Sequence, residues 1–226
     1  MRTSRPVVTV TDHARLAGGI DALGVRRGRP VMVLVGGADG MSEADLALAD
    51  GMLRGTVFPL LDRLDAAMVD GGTDNGVMRA AGQARAAVGG RFPLVGVVSE
   101  GAMRTADTAL EPSHTHVLLV PGTSWGDESP WMAGVASVIA GDRQSVTLVV
   151  NGGEITYDDI ANSLDAGRPV VVVAGTGRTA DAVAAASAGH TSNPRAAAAA
   201  ASPLTSVVDL ADTVAITAAL ESALGP

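Results

Sequence analysis

Short, uninterrupted apolar runs that each lead into a glycine-containing turn recur through most of the chain, and no other feature constrains the fold as strongly. Six of these runs begin at Val31, Ala66, Leu94, Val117, Val146 and Val170. They lack the apolar–polar alternation of a half-exposed strand, so each predicts a strand buried on both faces. Segments of helical periodicity separate them. The pattern predicts an α/β fold: a doubly wound, mostly parallel sheet between two layers of helices.

The ends of the chain predict further parts of the same sheet. Residues 1–30 contain an edge strand and a helix that we expect Gly18-Gly19 to interrupt, and residues 204–226 contain a last strand and helix. The low-complexity segment 189–203 predicts a surface connection or a short helix, with a lid over a ligand as the alternative. We therefore expect one Rossmann-like domain over residues 1–226, with about seven strands.

Composition excludes several kinds of chemistry. The chain has no cysteine, and all 16 of its basic residues are arginine. Disulfides, thiolate nucleophiles, cysteine-bound metals, Schiff-base lysines and a P-loop lysine are therefore excluded. A net charge of −8 and an aromatic content of 2% argue against nucleic acid as a partner, including a single strand. No apolar run is long enough for a signal peptide or a membrane span, so we expect a cytoplasmic protein.

The glycine turns predict a ligand site. Parallel strands end at one edge of their sheet, where glycine lets the backbone approach an anion and helix N-termini present free amides. The alternative is that the glycines only make tight turns. The candidate ligand-binding residues in these turns are Gly36, Gly37, Ala38, Asp39, Gly71, Gly72, Thr73, Asn75, Gly76, Pro121, Gly122, Thr123, Asn151, Gly152, Gly153, Gly175, Thr176 and Gly177.

The most specific single motif follows the strand that begins at Val170. Residues 175–180 fit the pattern G-x-G-x-x-G/A between a buried strand and a helix. No acidic residue lies about 20 positions further on to bind a ribose, which argues against an ordinary NAD dehydrogenase. Arg178 is placed either to bind a phosphate in a bidentate manner or to be an exposed arginine of the first helical turn.

Other polar and aromatic residues leave two interpretations open. Thr73 and Asn75 could bind ribose or phosphate oxygens or cap a helix as a pair, and both can hold at once. Trp125 either stacks on a purine or anchors its loop. Glu128 and Glu100 are the acid–base candidates, but each lacks an evident partner, so each is also interpreted as a ribose acceptor or a solvated side chain. The four histidines are scattered, and we predict no metal site.

Several motifs together resemble the SLOG superfamily, the fold shared by DprA and the LOG cytokinin-activating enzymes. The closer resemblance is to the branch at the N-terminus of melastatin-type TRP channels and its stand-alone prokaryotic relatives. The resemblance covers most of the chain, and its motifs are residues 36–40, 69–78, 116–120, 149–153 and 175–181.

This resemblance implies a Rossmann-like sensor domain that binds ADP-ribose, cyclic ADP-ribose, an NAD-related molecule or another adenine nucleotide without turnover or an obligatory cofactor. Homodimers are common in the superfamily, but no heptad or apolar patch here specifies an interface, and the effector protein is not indicated. The ligand residues carried over by motif are Gly36, Gly37, Gly71, Gly72, Thr73, Asn75, Gly152, Gly153, Gly175, Thr176, Gly177 and Arg178.

An enzymatic alternative comes from the LOG enzymes, which carry P-G-G-x-G-T-x-x-E. The nearest stretch here, Pro121 to Glu128, breaks the glycine pair and the Thr–Glu spacing of that motif. The alternative function is a nucleoside 5′-monophosphate phosphoribohydrolase that releases a free base, with Glu128 or Glu100 stabilising the oxocarbenium-like sugar. A DprA-like single-strand binder is a third hypothesis, which the net charge opposes.

Overall fold

One parallel sheet organises the part of the chain that the computed structural model describes, residues 5–106, 108–190 and 192–225. Its eight strands lie in the order β1-β5-β4-β3-β2-β6-β7-β8, and each neighbouring pair is parallel. The strands are β1 (Val7–Thr9), β2 (Val31–Gly36), β3 (Ala67–Asp70), β4 (Leu94–Ser99), β5 (His116–Val120), β6 (Ser145–Val150), β7 (Val170–Ala174) and β8 (Thr205–Asp209).

Helices cover both faces of this sheet. They are α1 (Leu16–Leu23), α2 (Glu43–Met52), α3 (Phe58–Arg63), α4 (Gly76–Val88), α5 (Glu100–Thr105), α6 (Ser129–Ala140), α7 (Glu154–Asp165), α8 (Arg178–Ser187), α9 (Pro194–Ala201) and α10 (Thr213–Leu224). A 3₁₀ turn precedes α1, and a π-helical segment connects α2 to α3. None of the helices in the described ranges is both long enough and apolar enough to cross a membrane.

The uninterrupted apolar runs contribute side chains to two hydrophobic cores, one on each face of the sheet. Val31, Val33 and Val35 of β2 pack in the cluster that includes α1 and α6 to α9. Met32 and Leu34, which alternate with them, pack in the cluster that includes α2 to α4 and α10. Successive side chains of a strand point to opposite faces, so a strand with a helical layer on each side needs apolar residues at every position. The predicted three-layer α/β architecture is confirmed.

Two details of the prediction need correction. The sheet has eight strands rather than about seven; the two expected terminal strands both join it as parallel edge strands, β1 beside β5 and β8 beside β7. Gly18-Gly19 does not interrupt the first helix, since α1 continues through both glycines. A side chain at Gly19 would overlap Val10, so this glycine lets α1 pack closely on the sheet.

The low-complexity segment contains a short helix, which is one of its predicted forms. Asn193 caps α9 by accepting hydrogen bonds from the amides of Arg195 and Ala196. Ala196 and Ala199 are buried in the core cluster on that face of the sheet. Residues 1–4, 191 and 226, which belong to the predicted terminal and low-complexity segments, lie outside the described residues.

Strand order places a crevice at the middle of the sheet. From β2 the chain proceeds outward through β3, β4 and β5, then returns to β6 on the other side of β2 and proceeds outward through β7 and β8. The connections after β2 and β6 therefore leave the sheet in opposite directions, although the two strands are paired from Val31–Ser145 to Gly36–Val150. In open α/β sheets, ligands bind where the strand order reverses in this way.

Candidate functional site

A cavity of about 300 Å³ lies at the carboxyl ends of β2 and β6, where the strand order reverses. Its walls come from the end of β2, from the segments after β2, β3, β6 and β7, and from the loop that leads into α6 and the start of that helix, with Thr108 after α5. It brings together many residues that the sequence placed in a site. The predicted residues that line it are Gly36, Ala38, Asp39, Gly71, Thr73, Asn75, Trp125, Glu128, Gly153 and Arg178.

About half of the residues that line the cavity were not predicted from the sequence. Most of the missed residues are apolar strand or helix positions, or belong to the first two turns of α7. The signal that pointed to them is the helical spacing that follows the Gly152-Gly153 turn, since positions 155, 156 and 159 lie on one face of a helix. The missed lining residues are Leu34, Val35, Met78, Thr108, Met132, Glu154, Ile155, Thr156 and Asp159.

The remaining candidates do not line the cavity. They support the loops around it, or they lie at other strand ends. These residues are Gly37, Gly72, Gly76, Glu100, Pro121, Gly122, Thr123, Asn151, Gly152, Gly175, Thr176 and Gly177.

The turn after β5 does not line the cavity because of the position of β5 in the sheet. This strand is separated from β2 by β4 and β3, so its carboxyl end lies away from the crevice. The turn closes on the start of α5 instead: the Gly101 amide donates to Gly122 O, and Asp127 Oδ2 accepts from the Thr123 and Ser124 amides. Glu100 lies at that same place, paired with Arg104 on the surface. Only Trp125 and Glu128, further along the loop, reach the cavity.

Six of the candidate glycine amides are not available to an anion, contrary to expectation, because protein acceptors already occupy them. In the loops at the carboxyl ends of β2, β3, β6 and β7, these six donate to nearby backbone or side-chain oxygens. The pairs are Gly37 to Val150 O, Gly72 to Asp70 Oδ1, Gly76 to Asn75 Oδ1, Gly152 to Asn151 Oδ1, Gly153 to Thr156 Oγ1 and Gly175 to Asp181 Oδ1. Glycine serves here mainly to let chain segments approach each other.

Asn151 connects the loops after β6 and β7. It is buried and has a left-handed backbone, with φ of 60°, a conformation that asparagine tolerates better than most residues. Its amide donates to Thr176 Oγ1 at 2.8 Å, and its side-chain Nδ2 donates to Thr176 O at 2.6 Å. Thr176 in turn donates to Val173 O. Asn151 and Thr176 are therefore positioning residues for the start of α8, where Arg178 follows.

Arg178 is the part of the glycine-rich motif that reaches the cavity. Its side chain is exposed and crosses the opening of the cavity, the mouth, which Asp39 also lines. There Nη1 of Arg178 donates to Asp39 O at 2.7 Å. A side chain at Gly153 would contact the same guanidinium, so this glycine makes room for it. The amides of Ala38 and Asp39 donate to no other described residue. The first-turn amides of α7, at Glu154 and Ile155, have no intrahelical acceptor. The mouth therefore presents one cation and several amide donors.

Asn75 and Asp39 close the same mouth from the side of β3. Asn75 caps α4 through Oδ1, which accepts from the Gly76 amide at 2.9 Å, so the capping interpretation is confirmed for Asn75. Its Nδ2 donates to Asp39 Oδ1. Thr73 is buried beside it and forms an isolated bridge with Leu110.

The deep part of the cavity contains two buried carboxyl groups, Glu128 and Asp159, each 8% exposed. Burial raises the pKa of Glu128, although its oxygens accept from the Gly126 amide at 3.1 Å. Burial raises the pKa of Asp159 to about 7; the negative charges of Glu128 and Asp158 add to this shift and a hydrogen bond with Ser129 opposes it. Near neutral pH, Asp159 is therefore partly protonated.

A separate buried cluster of His114, Asp70 and Glu111 supports the turn after β3. His114 Nε2 is 2.7 Å from Asp70 Oδ1, and its Nδ1 is 2.7 Å from Glu111 Oε2. Asp70 Oδ1 also accepts from the Gly72 amide at 2.8 Å, so the cluster holds this turn in place. Burial alone would lower the pKa of His114, but the two carboxylates outweigh it and raise the pKa to about 9. Among the described residues, no group of three or more His, Cys, Asp or Glu side chains is placed to hold a metal ion.

The parallel three-layer sheet and the cavity at its switch point define a Rossmann-like α/β protein. The chain belongs to the family described as "SLOG in TRPM, prokaryote", whose model matches residues 29–219. The resemblance seen in the sequence motifs is thereby confirmed.

A solved structure shares this fold. The molybdenum cofactor carrier protein MCP from Chlamydomonas reinhardtii superposes with a TM-score of 0.57 at 18% identity, over 85% of this chain and 98% of that chain. The molybdenum cofactor binding protein from Rippkaea orientalis has a TM-score of 0.48 at 15% identity, over 64% of this chain and 76% of its own. At such identities a likeness shows the fold alone. No curated protein matches the sequence.

Proposed function

We propose that the chain is a cytoplasmic sensor domain that binds a nucleotide-type ligand, such as ADP-ribose or a related adenine nucleotide, in the switch-point cavity without turnover. The observation that carries this proposal is the polarity of the cavity. Arg178 and free amides lie at its mouth, whereas its deep part is apolar with two buried carboxyl groups. A nucleotide has the same polarity, with an anionic phosphate at one end and a flat, hydrogen-bonding base at the other.

The mouth has the donors that a phosphate requires. The guanidinium of Arg178 and the amides of Ala38, Asp39 and the first turn of α7 surround one opening. A helix N-terminus adds a partial positive charge that favours an anion. Each charge-assisted hydrogen bond contributes roughly 1.5–3 kcal/mol, so three of them give about 4.5–9 kcal/mol before the cost of association is deducted. Micromolar binding requires about 8 kcal/mol net, so burial of the rest of the ligand has to supply the remainder.

The body of the cavity suits a flat ring. Leu34, Met78 and Met132 give it apolar walls, and Trp125 stands at its edge with 37% of its surface exposed. A volume of about 300 Å³ is at the lower end of the range for small-molecule sites. The relative from Chlamydomonas is named as a carrier of a molybdenum cofactor, which also supports small-molecule binding by this fold.

Replacing Arg178 by alanine tests the proposal. We expect wild type to be stabilised by ADP-ribose, cyclic ADP-ribose, NAD, AMP or ATP at about 1 mM, by about 4 kcal/mol for a micromolar ligand. The variant should bind that ligand about tenfold to a hundredfold more weakly, because it loses a charge-assisted hydrogen bond. Its melting temperature without ligand should change little, because the side chain is exposed.

Arg104→Ala is the matched control, since Arg104 is also exposed and pairs with Glu100 away from the cavity. It should bind as wild type does. A wild type that no member of the panel stabilises, or an Arg178→Ala variant with unchanged affinity, would contradict the proposed site.

The phosphoribohydrolase remains a second candidate because Glu128 lies in the cavity beside another carboxyl group. Glu100 is no longer a candidate for this role, since it lies outside the cavity. Chromatography of purine monophosphates incubated with the protein distinguishes the two functions. Release of free base by wild type, lost in Glu128→Gln, would favour the hydrolase over the sensor.

A further inference from the structure

The low-complexity segment places one cation beside the mouth of the cavity. Residues 189–203 contain a single arginine and no aspartate, glutamate or lysine. That arginine, Arg195, lies in the first turn of α9, and its Nη1 is 3.4 Å from Glu154 Oε2. Glu154 is the first residue of α7 and lines the cavity. Arg195 therefore contacts the wall of the proposed ligand site, although it does not line the cavity itself.

Three contacts fix Arg195 and the start of α9 against α7. Arg195 Nη2 donates to Asp158 Oδ1, and the guanidinium lies over the ring of Tyr157, 4.9 Å from its centroid. Asn193 Nδ2 donates to the hydroxyl of Tyr157 at 3.0 Å. Tyr157 is itself buried in the core, so these contacts hold the guanidinium at a defined place on the first two turns of α7.

Glu154 is an unfavourable residue for an anion at this end of α7. Its carboxylate is on the same helical turn as the amides of Glu154 and Ile155, which we propose to bind the ligand's phosphate. Two negative charges near each other repel, and the repulsion lowers affinity unless a cation compensates one of them. Arg195 is a cation in contact with this carboxylate.

The other exposed acidic residue of the cavity lining is held in a similar way. Asp39 lies at the mouth, and its Oδ1 accepts from Asn75 Nδ2. Both exposed carboxylates of the lining, those of Asp39 and Glu154, are thus engaged by a donor of the protein. Without Arg195, Arg178 would be the one cation near the mouth among the described lining residues.

We propose that Arg195 is a positioning residue of the ligand site: from outside the cavity it holds and neutralises the Glu154 carboxylate, so that the start of α7 can accept an anion. This inference rests on the proposed function and adds a residue that sets the affinity for the ligand's phosphate. The segment 189–203 then acts on the site through α7 rather than as a lid over it. Exposed ion pairs are individually weak and are screened by salt, so the effect is modest and depends on ionic strength.

Titration calorimetry with ADP-ribose at low ionic strength tests this inference. At about 0.01 M salt the screening length is about 30 Å, so the charges act on each other almost fully. Arg195→Ala should bind ADP-ribose about threefold to fivefold more weakly than wild type, because the charges of Glu154 and Asp158 are no longer compensated. Arg195→Lys keeps the positive charge and should bind more tightly than Arg195→Ala.

Substitution of the partner distinguishes charge from shape. Glu154→Gln removes the negative charge and leaves the contacts of Arg195 with Asp158 and Tyr157 in place, so it should bind at least as tightly as wild type. The double variant Arg195→Ala/Glu154→Gln has the same net charge at this place as wild type, and its affinity should return to within about twofold of it. A loss caused by displacement of α9 would persist in the double variant.

High salt gives a second, independent readout. At about 1 M salt the screening length falls to about 3 Å, so Arg195→Ala and wild type should bind with nearly equal affinity. Arg63→Ala is the matched control, because Arg63 is also exposed and pairs with a glutamate of another helix, Glu221 of α10, outside the cavity lining. It should bind as wild type does at both salt concentrations.

The outcomes distinguish this inference from the proposed function. The inference is wrong, while the proposed function stands, if wild type binds ADP-ribose and Arg195→Ala binds equally well at low salt. The same conclusion holds if the loss persists at high salt or in the double variant, or if Glu154→Gln binds more weakly than wild type. If wild type does not bind ADP-ribose at either salt concentration, the proposed function for this ligand is wrong and the inference is overturned with it.

Discussion

His114→Ala is expected to lower the free energy of unfolding by about 3–5 kcal/mol, because it leaves two buried carboxylates without their shared partner. Asp70 and Glu111 are almost completely inaccessible, and His114 bridges them with two 2.7 Å contacts. Urea unfolding followed by circular dichroism measures the change. His190→Ala is the control, since His190 is exposed on the surface. A loss of less than about 1 kcal/mol in His114→Ala would mean that the cluster does not hold the fold.

The same cluster predicts how stability depends on pH. The pKa of His114 is about 9 in the folded protein, against 6.5 as its ordinary value. A raised folded-state pKa gives stability that is complete below pH 6.5 and is lost as the pH rises through 9, by about 3 kcal/mol in total. Burial raises the pKa of Asp159 from 3.8 to about 7. Its contribution to stability is therefore lost at lower pH, as the pH rises from 3.8 to about 7. A wild type equally stable at pH 6.5 and 9.5, or a His114→Ala variant with an unchanged slope, would contradict this assignment.

Gly76→Ala is the second change with a large expected effect, a loss of about 3 kcal/mol or more of unfolding free energy. Gly76 begins α4 with φ of 47°, which disfavours any side chain, and an added Cβ would overlap the backbone oxygens of Gly37 and Ala38. The loop after β2 crosses the start of α4 at this point, where the Val77 amide donates to Gly37 O at 2.9 Å. Ligand affinity should fall as well, since Ala38 and Asp39 would be displaced from the mouth.

Gly51→Ala gives the matched control for this substitution. Gly51 lies in α2, is exposed, and an added Cβ would meet nothing within 4 Å. Alanine is a better helix former than glycine, so this variant should be as stable as wild type or more stable. Equal thermal stability of Gly76→Ala and wild type would show that the two loops are not in contact as described.

The layers of the fold were predictable from local pattern because they depend on it. A run such as Val170–Val173 has no polar face, so it must be covered on both sides, and the structure places helices there. The strand count was one too low, although both terminal strands, the three-residue β1 and the partly exposed β8, were expected from their weaker patterns. The order of the strands, and with it the switch point between β2 and β6, depends on long-range pairing that no local pattern specifies.

The candidate site was predicted in part for the same reason. Gly36, Thr73, Gly153 and Arg178 were found because each lies at or just after the end of a buried apolar run, and these four do line the cavity. The sequence did not predict that glycine amides donate to oxygens of the protein itself. Their acceptors, such as Asp181 for Gly175, become neighbours only in the folded loops. Asp159 was missed because an acidic residue within a helix usually lies on a solvated face. Tertiary packing around the cavity buries it.

A crystal structure of the protein with ADP-ribose is the most direct test of the central claim, that one switch-point cavity holds an anionic group at its mouth and a base in its depth. We predict electron density for the diphosphate beside the Arg178 guanidinium and the start of α7, and for the adenine in the buried part of the cavity that Glu128 and Asp159 line. Density for the ligand elsewhere on the surface, or with the diphosphate against Glu128 and Asp159, would contradict it.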